Sequence, residues 1–269
     1  MAIKYWTGDA DSNYSTASNW SPSGAPTASD DVIIEGKKDI TGGLNQSAVA
    51  LNSFFVGEFS GVIASRLASL QINCTDVKFG GTNNCFIDVG AAVATIEVSN
   101  ARSRVGTKSG LTIDGSAIAT IEVIGGSVEI VDSASVINVN VIGNLASGSG
   151  ADVLIGENVT VSNVKLTGGK LETKSDVSSV KIGDGEFVTS GVVDVATLDI
   201  NAGQANIDAT GTITTLSVDG GTCDLSRTLK TKTITSSTVS GSGELIFDTT
   251  TTTTTAPTTS NRALKIRNV

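Results

Sequence analysis

Two pairs of carboxylates, Asp184 with Glu186 and Asp199 with Asp219, are the residues of this sequence that could most directly do chemistry. Paired acids cleave glycosidic bonds when one carboxyl stays protonated and the other ionised, which demands a raised pKa on the acid. Both pairs fall at corners or outward positions of the repeat described below, where a solvated charge is the ordinary role, so no catalytic role is assigned to them. No histidine occurs anywhere, which removes Ser-His-Asp and Cys-His arrangements, imidazole zinc sites and histidine acid-base work. Asp9-x-Asp11-x-Asn13 opens like a calcium loop, but Tyr14 stands where that loop needs glycine and Trp20 where it needs the closing glutamate. The cysteines, Cys74, Cys85 and Cys223, are odd in number and lack C-x-x-C spacing. They read as buried free thiols, with Cys223 on a core position. The expectation is a non-enzymatic chain with no metal and no cofactor.

The elements that position these residues come from a repeat. The pattern apolar, any, Ser/Thr/Asn, apolar, any, apolar is read from ten openers: Leu51, Leu67, Val93, Ile118, Val136, Val161, Val177, Val195, Ile213 and Leu229. One copy is Ile118-Ala119-Thr120-Ile121-Glu122-Val123, another Val195-Ala196-Thr197-Leu198-Asp199-Ile200. A period of about 20 residues with one short strand signature per repeat marks a solenoid, whose coils bury their apolar faces only by stacking. Five copies place a glycine three positions after the signature, at Gly126, Gly169, Gly185, Gly203 and Gly221. A fixed glycine after a strand marks a corner of positive φ. Alternation then resumes at Val128 and Ile130, Leu171 and Thr173, Phe187 and Thr189, Ala205 and Ile207, and Cys223 and Leu225, so a second strand follows each corner.

An antiparallel sandwich is the rival architecture. The corners lack Asn-Gly hairpin loops, and equivalent strands recur one coil apart with the same residue types. The sequence therefore predicts an all-β parallel β-solenoid of right-handed coils, with the Ser/Thr/Asn position forming a ladder. Ile121, Val123, Val164, Leu166, Leu198, Ile200, Leu216 and Val218 are expected to point inward and stack. The predicted divisions are a cap over 1–45, about ten coils over 46–248 and an extended threonine-rich arm over 249–269. At 269 residues, 39% hydrophobic and with 30 glycines against 3 prolines, the chain is large enough for one extended core.

Aromatic residues are sparse except near the start, where Tyr5, Trp6, Tyr14 and Trp20 hold every tyrosine and tryptophan. The block reads Tyr5-Trp6-Thr7-Gly8, Ser18-Asn19-Trp20-Ser21, Gly24-Ala25-Pro26 and Asp30-Asp31-Val32-Ile33-Ile34. This W-T-G, N-W-S, G-x-P, D-D-V-x-I series resembles the leader that opens β-helical repeat proteins among bacterial surface adhesins and bacteriophage virion proteins. The resemblance covers roughly the first 35 residues, implies that a solenoid begins here, and says almost nothing of activity. Large aromatics suit the sealing of an open solenoid end, so an end cap is expected rather than a ligand platform.

Residues 1–9 contain no apolar h-region or cleavage site and no apolar run reaches a membrane span, which predicts cytoplasmic assembly without membrane insertion. The net charge of −9 predicts no nucleic-acid binding by the body. After Asp248 no acid occurs, whereas Arg262, Lys265 and Arg267 are basic, and Leu264-Lys265-Ile266-Arg267 alternates apolar with basic as an assembling strand does. The function expected is a structural virion protein of a bacteriophage: a head decoration protein, head fibre or tail-associated subunit. Its partners would be other capsid or tail proteins and further copies of itself, with a host-surface glycan as a further ligand. Docking is assigned to Leu264, Lys265, Ile266 and Arg267, and to Tyr5, Trp6 and Trp20. The alternatives are a carbohydrate-binding or polysaccharide-degrading protein of tailspike type and, third, an adhesin domain on the bacterial cell surface.

Overall fold

The computed structural model describes residues 1–82, 84–90, 93–100, 110–131, 134–143 and 150–260. Its strands wind in parallel into a β-solenoid of about 11 turns, and the chain divides into two compact units, Met1–Val136 and Ile137–Val269.

In the first unit, strands stack with like positions in register. Val32, Phe54, Val77, Ile96 and Ile121 form one inward column, and Ile34, Val56, Phe79, Val98 and Val123 the next. All ten side chains are buried. Across the core, Ile63, Cys85, Leu111 and Val128 form a facing column. Each of these side chains meets its counterpart one strand spacing away, roughly 4.8 Å, so the apolar surface of every coil is covered by the coils above and below. The second unit repeats the logic with columns Val161, Val177, Val195, Ile213 and Ile234, and Leu166, Ile182, Ile200, Val218 and Val239. Its facing wall runs Val153, Leu171, Phe187, Ala205, Cys223 and Leu245. Phe187 above Ala205 is a large-small alternation that fills the core without overpacking. All eight side chains expected to point inward are buried, and the ladder Asn163, Ser179, Thr197, Thr215 and Ser236 lines up as expected.

The five corner glycines share positive φ, between 73° and 94°. At Gly203 two causes coincide: φ is 78°, and a Cβ there would lie 2.5 Å from the carbonyl oxygen of Gly185 in the preceding coil. The corner is thus closed to other residues by conformation and by contact.

Two of the ten openers are corrected. Leu67 is fully exposed and Leu229 is 84% exposed, so neither starts a coil. Register shows that Cys74 follows Leu51 and that Ile234 follows Ile213. The Cys74 copy carries Asp76 where the pattern asks for Ser/Thr/Asn, while Leu70 and Ile72, inside the Leu67 match, pair with Ile87 and Val89 of another wall. The Leu229 match has Lys232 at its fourth, apolar place. In the Ile234 copy, Ser237 pairs with Leu216 and is buried in the apolar column.

The threonine run continues the stack: Thr251–Thr253 and Thr258–Ser260 both pair in parallel with Lys232–Ser240. Behind it lies a buried ion pair. Lys232 Nζ donates to the carbonyls of Thr228 (2.6 Å) and Lys230 (3.1 Å) and stands 3.6 Å from Asp248 Oδ2. Asp248 Oδ1 accepts from the Thr250 amide and the hydroxyls of Thr250 and Thr251.

Candidate functional site

The first coil is sealed by side chains that the leader sequence brings together. Strand Ile3–Trp6 pairs antiparallel with Trp20–Ser21 and parallel with Asp31–Gly36. Trp6 and Tyr14 both meet Trp20 edge-on, at centroid distances of 5.2 and 4.7 Å. The indole N–H of Trp20 donates to the Tyr14 carbonyl at 2.6 Å and that of Trp6 to the Lys38 carbonyl at 2.9 Å. Asn19 is fully buried. Its amide donates to Asp11 Oδ1 and the Asn13 carbonyl, and its oxygen accepts the Ala10 and Asp11 amides. Asp30 accepts from the Ala2 and Thr27 amides, and those backbone bonds, led by Thr27, hold its carboxyl below the ordinary range against the effect of burial.

This arrangement separates the aromatic docking candidates. Trp6, Trp20 and Tyr14 are buried in the seal, whereas Tyr5 is 47% exposed. Alternation in Ile3–Trp6 is the cause: Lys4 and Trp6 point inward, Ile3 and Tyr5 outward. The docking candidates Leu264, Lys265, Ile266 and Arg267 lie outside the described residues.

The calcium-like series serves the seal instead. Asp11 Oδ1 accepts the Asn13 amide and the Asn19 side chain, and Oδ2 the Thr16 hydroxyl; the Asn13 and Asn19 bonds lower its pKa. Among the described residues no group of three or more His, Cys, Asp or Glu is arranged to hold a metal. The three cysteines are buried and form no disulfide, and burial pushes the thiols of Cys74 and Cys223 up. That keeps them protonated and unreactive.

On the second unit a groove of about 680 Å³ runs beside the glycine corners. Its outward column is Asp152, Lys170, Glu186, Gln204 and Thr222 in register. Glu186 accepts from the Asn206 amide at 2.7 Å and faces Lys170 at 3.8 Å and Arg227 at 3.9 Å; Arg227 also meets Asp208 at 3.7 Å. Asp152 keeps solvent contact, yet partial burial of its carboxyl raises its pKa against the pull of Lys170, with Glu172 and Glu186 adding to the rise. Of the carboxylate pairs singled out in the sequence, Asp184 accepts its neighbour Gly185 amide and Asp219 the Ser240 hydroxyl. Glu186 and Asp152 share that column, two places apart with Lys170 between them. Lys170, Glu186, Gln204 and Thr222 each follow a corner glycine and can be aligned in sequence, whereas Asp152 follows Ala151 and is placed only by strand pairing.

A larger groove, about 800 Å³, passes Asp176 and Asp194, but there the carboxylates bind backbone. Asp176 accepts the Asp194 amide at 2.8 Å and Asp194 the Thr212 amide at 2.6 Å, each tying one coil to the next. No helix among the described residues is long and apolar enough to cross a membrane. Comparison with known proteins finds no matching family model, curated protein or solved structure, so the functional reading rests on the solenoid and its surfaces.

Proposed function

We propose that this chain is a non-enzymatic structural protein, a stiff solenoid that serves as a component of a bacteriophage virion: a head decoration protein, head fibre or tail-associated subunit. The observation that carries the reading is the sealed first coil, in which three buried aromatics and Asn19 close the stack beneath a leader resembling those of virion and adhesin β-helices. Continuous parallel ladders stiffen the coils and leave few unpaired backbone groups for proteases. Partners would be capsid or tail proteins and further copies of the chain. Mass spectrometry of particles purified from the native host tests this directly. The chain should appear at a fixed stoichiometry; particles that lack it overturn the virion assignment and leave a cell-surface adhesin, for which surface proteolysis is the readout.

The groove of the second unit favours one other reading, a carbohydrate-directed protein. The backbones of Asp152 and Glu186 are two strand spacings apart, about 9.6 Å, just beyond the upper limit of about 9.5 Å for an inverting acid-base pair, with Lys170 between them; the raised pKa of Asp152 suits the acid. Asp152→Asn and Glu186→Gln variants decide it. Loss of polysaccharide depolymerisation in both supports an enzyme, and absence of any such activity in the unaltered chain removes that reading.

A further inference from the structure

Across the outer face of the first unit, apolar side chains form a stripe that no described residue covers. Tyr5, Ile33 and Phe55 occupy the same outward position in three successive courses, and Ile3, 48% exposed, adjoins Tyr5. Ile33 and Phe55 are half-buried. The Phe55 ring lies down over two glycines: a Cβ at Gly57 would come within 3.1 Å of it and one at Gly80 within 3.3 Å. The ring is therefore held flat against the sheet and offers its other face outward.

Acids border the stripe on both sides. Asp31 and Asp76 share the column of Ser53 on one side, while Glu35 and Glu58, both exposed, lie on the other. Among the described residues neither Glu35 nor Glu58 has a salt-bridge partner. Lys78, next in the stripe, is held by Asp76 at 3.9 Å and Glu97 at 4.0 Å.

An occupant for this surface needs aliphatic side chains on one line and cations at its flanks. The chain contains one such segment beyond residue 260, with Leu264 and Ile266 alternating with Lys265 and Arg267 and with Arg262 preceding them. An extended segment would set Leu264 and Ile266 about 6.7 Å apart on one side, enough to cover two neighbouring members of the stripe, whose strands are roughly 4.8 Å apart. In such a strand Lys265 and Arg267 would lie on the other face, and their flexible stems would fold back over its edges to reach the bordering carboxylates.

We infer that the stripe of Ile3, Tyr5, Ile33 and Phe55 receives Leu264-Lys265-Ile266-Arg267 of a second copy of this chain. The inference rests on the structural reading above and supplies its self-assembly contact. Donor and acceptor surfaces differ, so the contact is heterologous and repeats into a ring or a filament. It is small for a specific interface, so association should weaken steeply with salt and dilution.

Sedimentation velocity on the full chain, from low micromolar to submillimolar, tests it with two complementary variants. Tyr5→Asp spoils the acceptor and keeps the donor; Leu264→Asp with Ile266→Asp does the reverse. Each alone should associate at least tenfold more weakly than the unaltered chain, and an equimolar mixture should form a one-to-one heterodimer because each copy supplies the surface its partner lacks. Glu35→Lys with Glu58→Lys, which touches no core residue, replaces Tyr5→Asp should that variant fold poorly. A mixture that stays monomeric, or an unaltered chain that stays monomeric throughout, overturns the inference; the second result includes docking of the segment onto its own chain. The outcome is separable from the virion assignment. A heterodimer from a chain missing from particles sinks only that assignment, and particles containing a chain that fails to mix sink only this contact.

Discussion

The first coil and the last described courses are built of opposite materials. At the start, Trp6, Tyr14 and Trp20 bury large apolar area behind a two-residue antiparallel strand, and the Asn19 side chain beside them is matched by four hydrogen bonds. At the other end, threonines continue the ladder and a single buried pair, Lys232 with Asp248, fills the space behind them. Aromatic burial is insensitive to pH and salt and exposes no free edge to a neighbouring strand. A finish built on hydroxyls and one ion pair depends on protonation, because desolvation is offset only while the partners stay charged and bonded.

The largest test of this contrast removes the centre of the aromatic seal. Trp20→Ala should cost about 3 to 5 kcal/mol, measured by denaturant unfolding, because two edge-on ring contacts and an indole hydrogen bond go with it. A loss below about 1 kcal/mol would show that the seal is decoration. The corresponding test at the far end is Lys232→Met, expected to cost about 3 to 5 kcal/mol by leaving Asp248 buried and uncompensated. Adding Asp248→Asn should recover much of that loss, since the amide oxygen still accepts from Thr250 and Thr251 without carrying charge. If the double variant were as unstable as the single one, packing of the lysine stem would be the cause, and the ion pair would be incidental.

Acid separates the ends next. Burial opposes ionisation of Asp248, but bonds from Thr250 and Thr251 together with Lys232 outweigh it and lower its pKa. A carboxylate whose folded pKa is depressed stabilises the fold fully above its unfolded value near 3.9 and loses that contribution as pH falls through the folded value. Asp30 behaves alike at the first coil, but there the aromatic contacts persist after protonation. Hydrogen exchange below about pH 4 should therefore reveal amides of Thr251–Thr254 opening before those of Tyr14 and Trp20. The reverse order would mean that the seal, not the ion pair, is held by charge.

How far the sequence could be read follows from the same physics. Columns in which each coil keeps the same residue type, such as Val177, Val195 and Ile213, announce register directly, and the corner glycines announce the bend because contact and φ both forbid alternatives. Register was lost where a coil departs in one letter. Asp76 broke the Ser/Thr/Asn position of the Cys74 copy, and Ser237 broke the fourth, apolar position of the Ile234 copy. The outward stripe was hidden for another reason: Tyr5, Ile33 and Phe55 lie far apart in sequence and meet only through pairing of their strands. The same holds for Asp152 and Glu186, which the sequence assigned to no common site.

The smallest expected effects test whether each end carries a defect of its own kind. In the apolar column of Val180, Leu198 and Leu216, the next place is taken by Ser237, whose buried hydroxyl has no hydrogen-bond partner. In the aromatic seal the Tyr14 hydroxyl is likewise buried and unpartnered, and burial drives its pKa far upward. A buried donor without an acceptor destabilises by its lost hydration, so deleting it should raise stability. Ser237→Ala and Tyr14→Phe should each gain up to about 1 kcal/mol, read as a higher midpoint in denaturant with an unchanged slope. The two should also add, because the sites belong to separate units and share no partner. A loss in Ser237→Ala would mean that its hydroxyl finds a partner in solution. A loss confined to Tyr14→Phe would mean that the seal holds an ordered water at that hydroxyl, and the first coil would then depend on polar contacts as the last courses do.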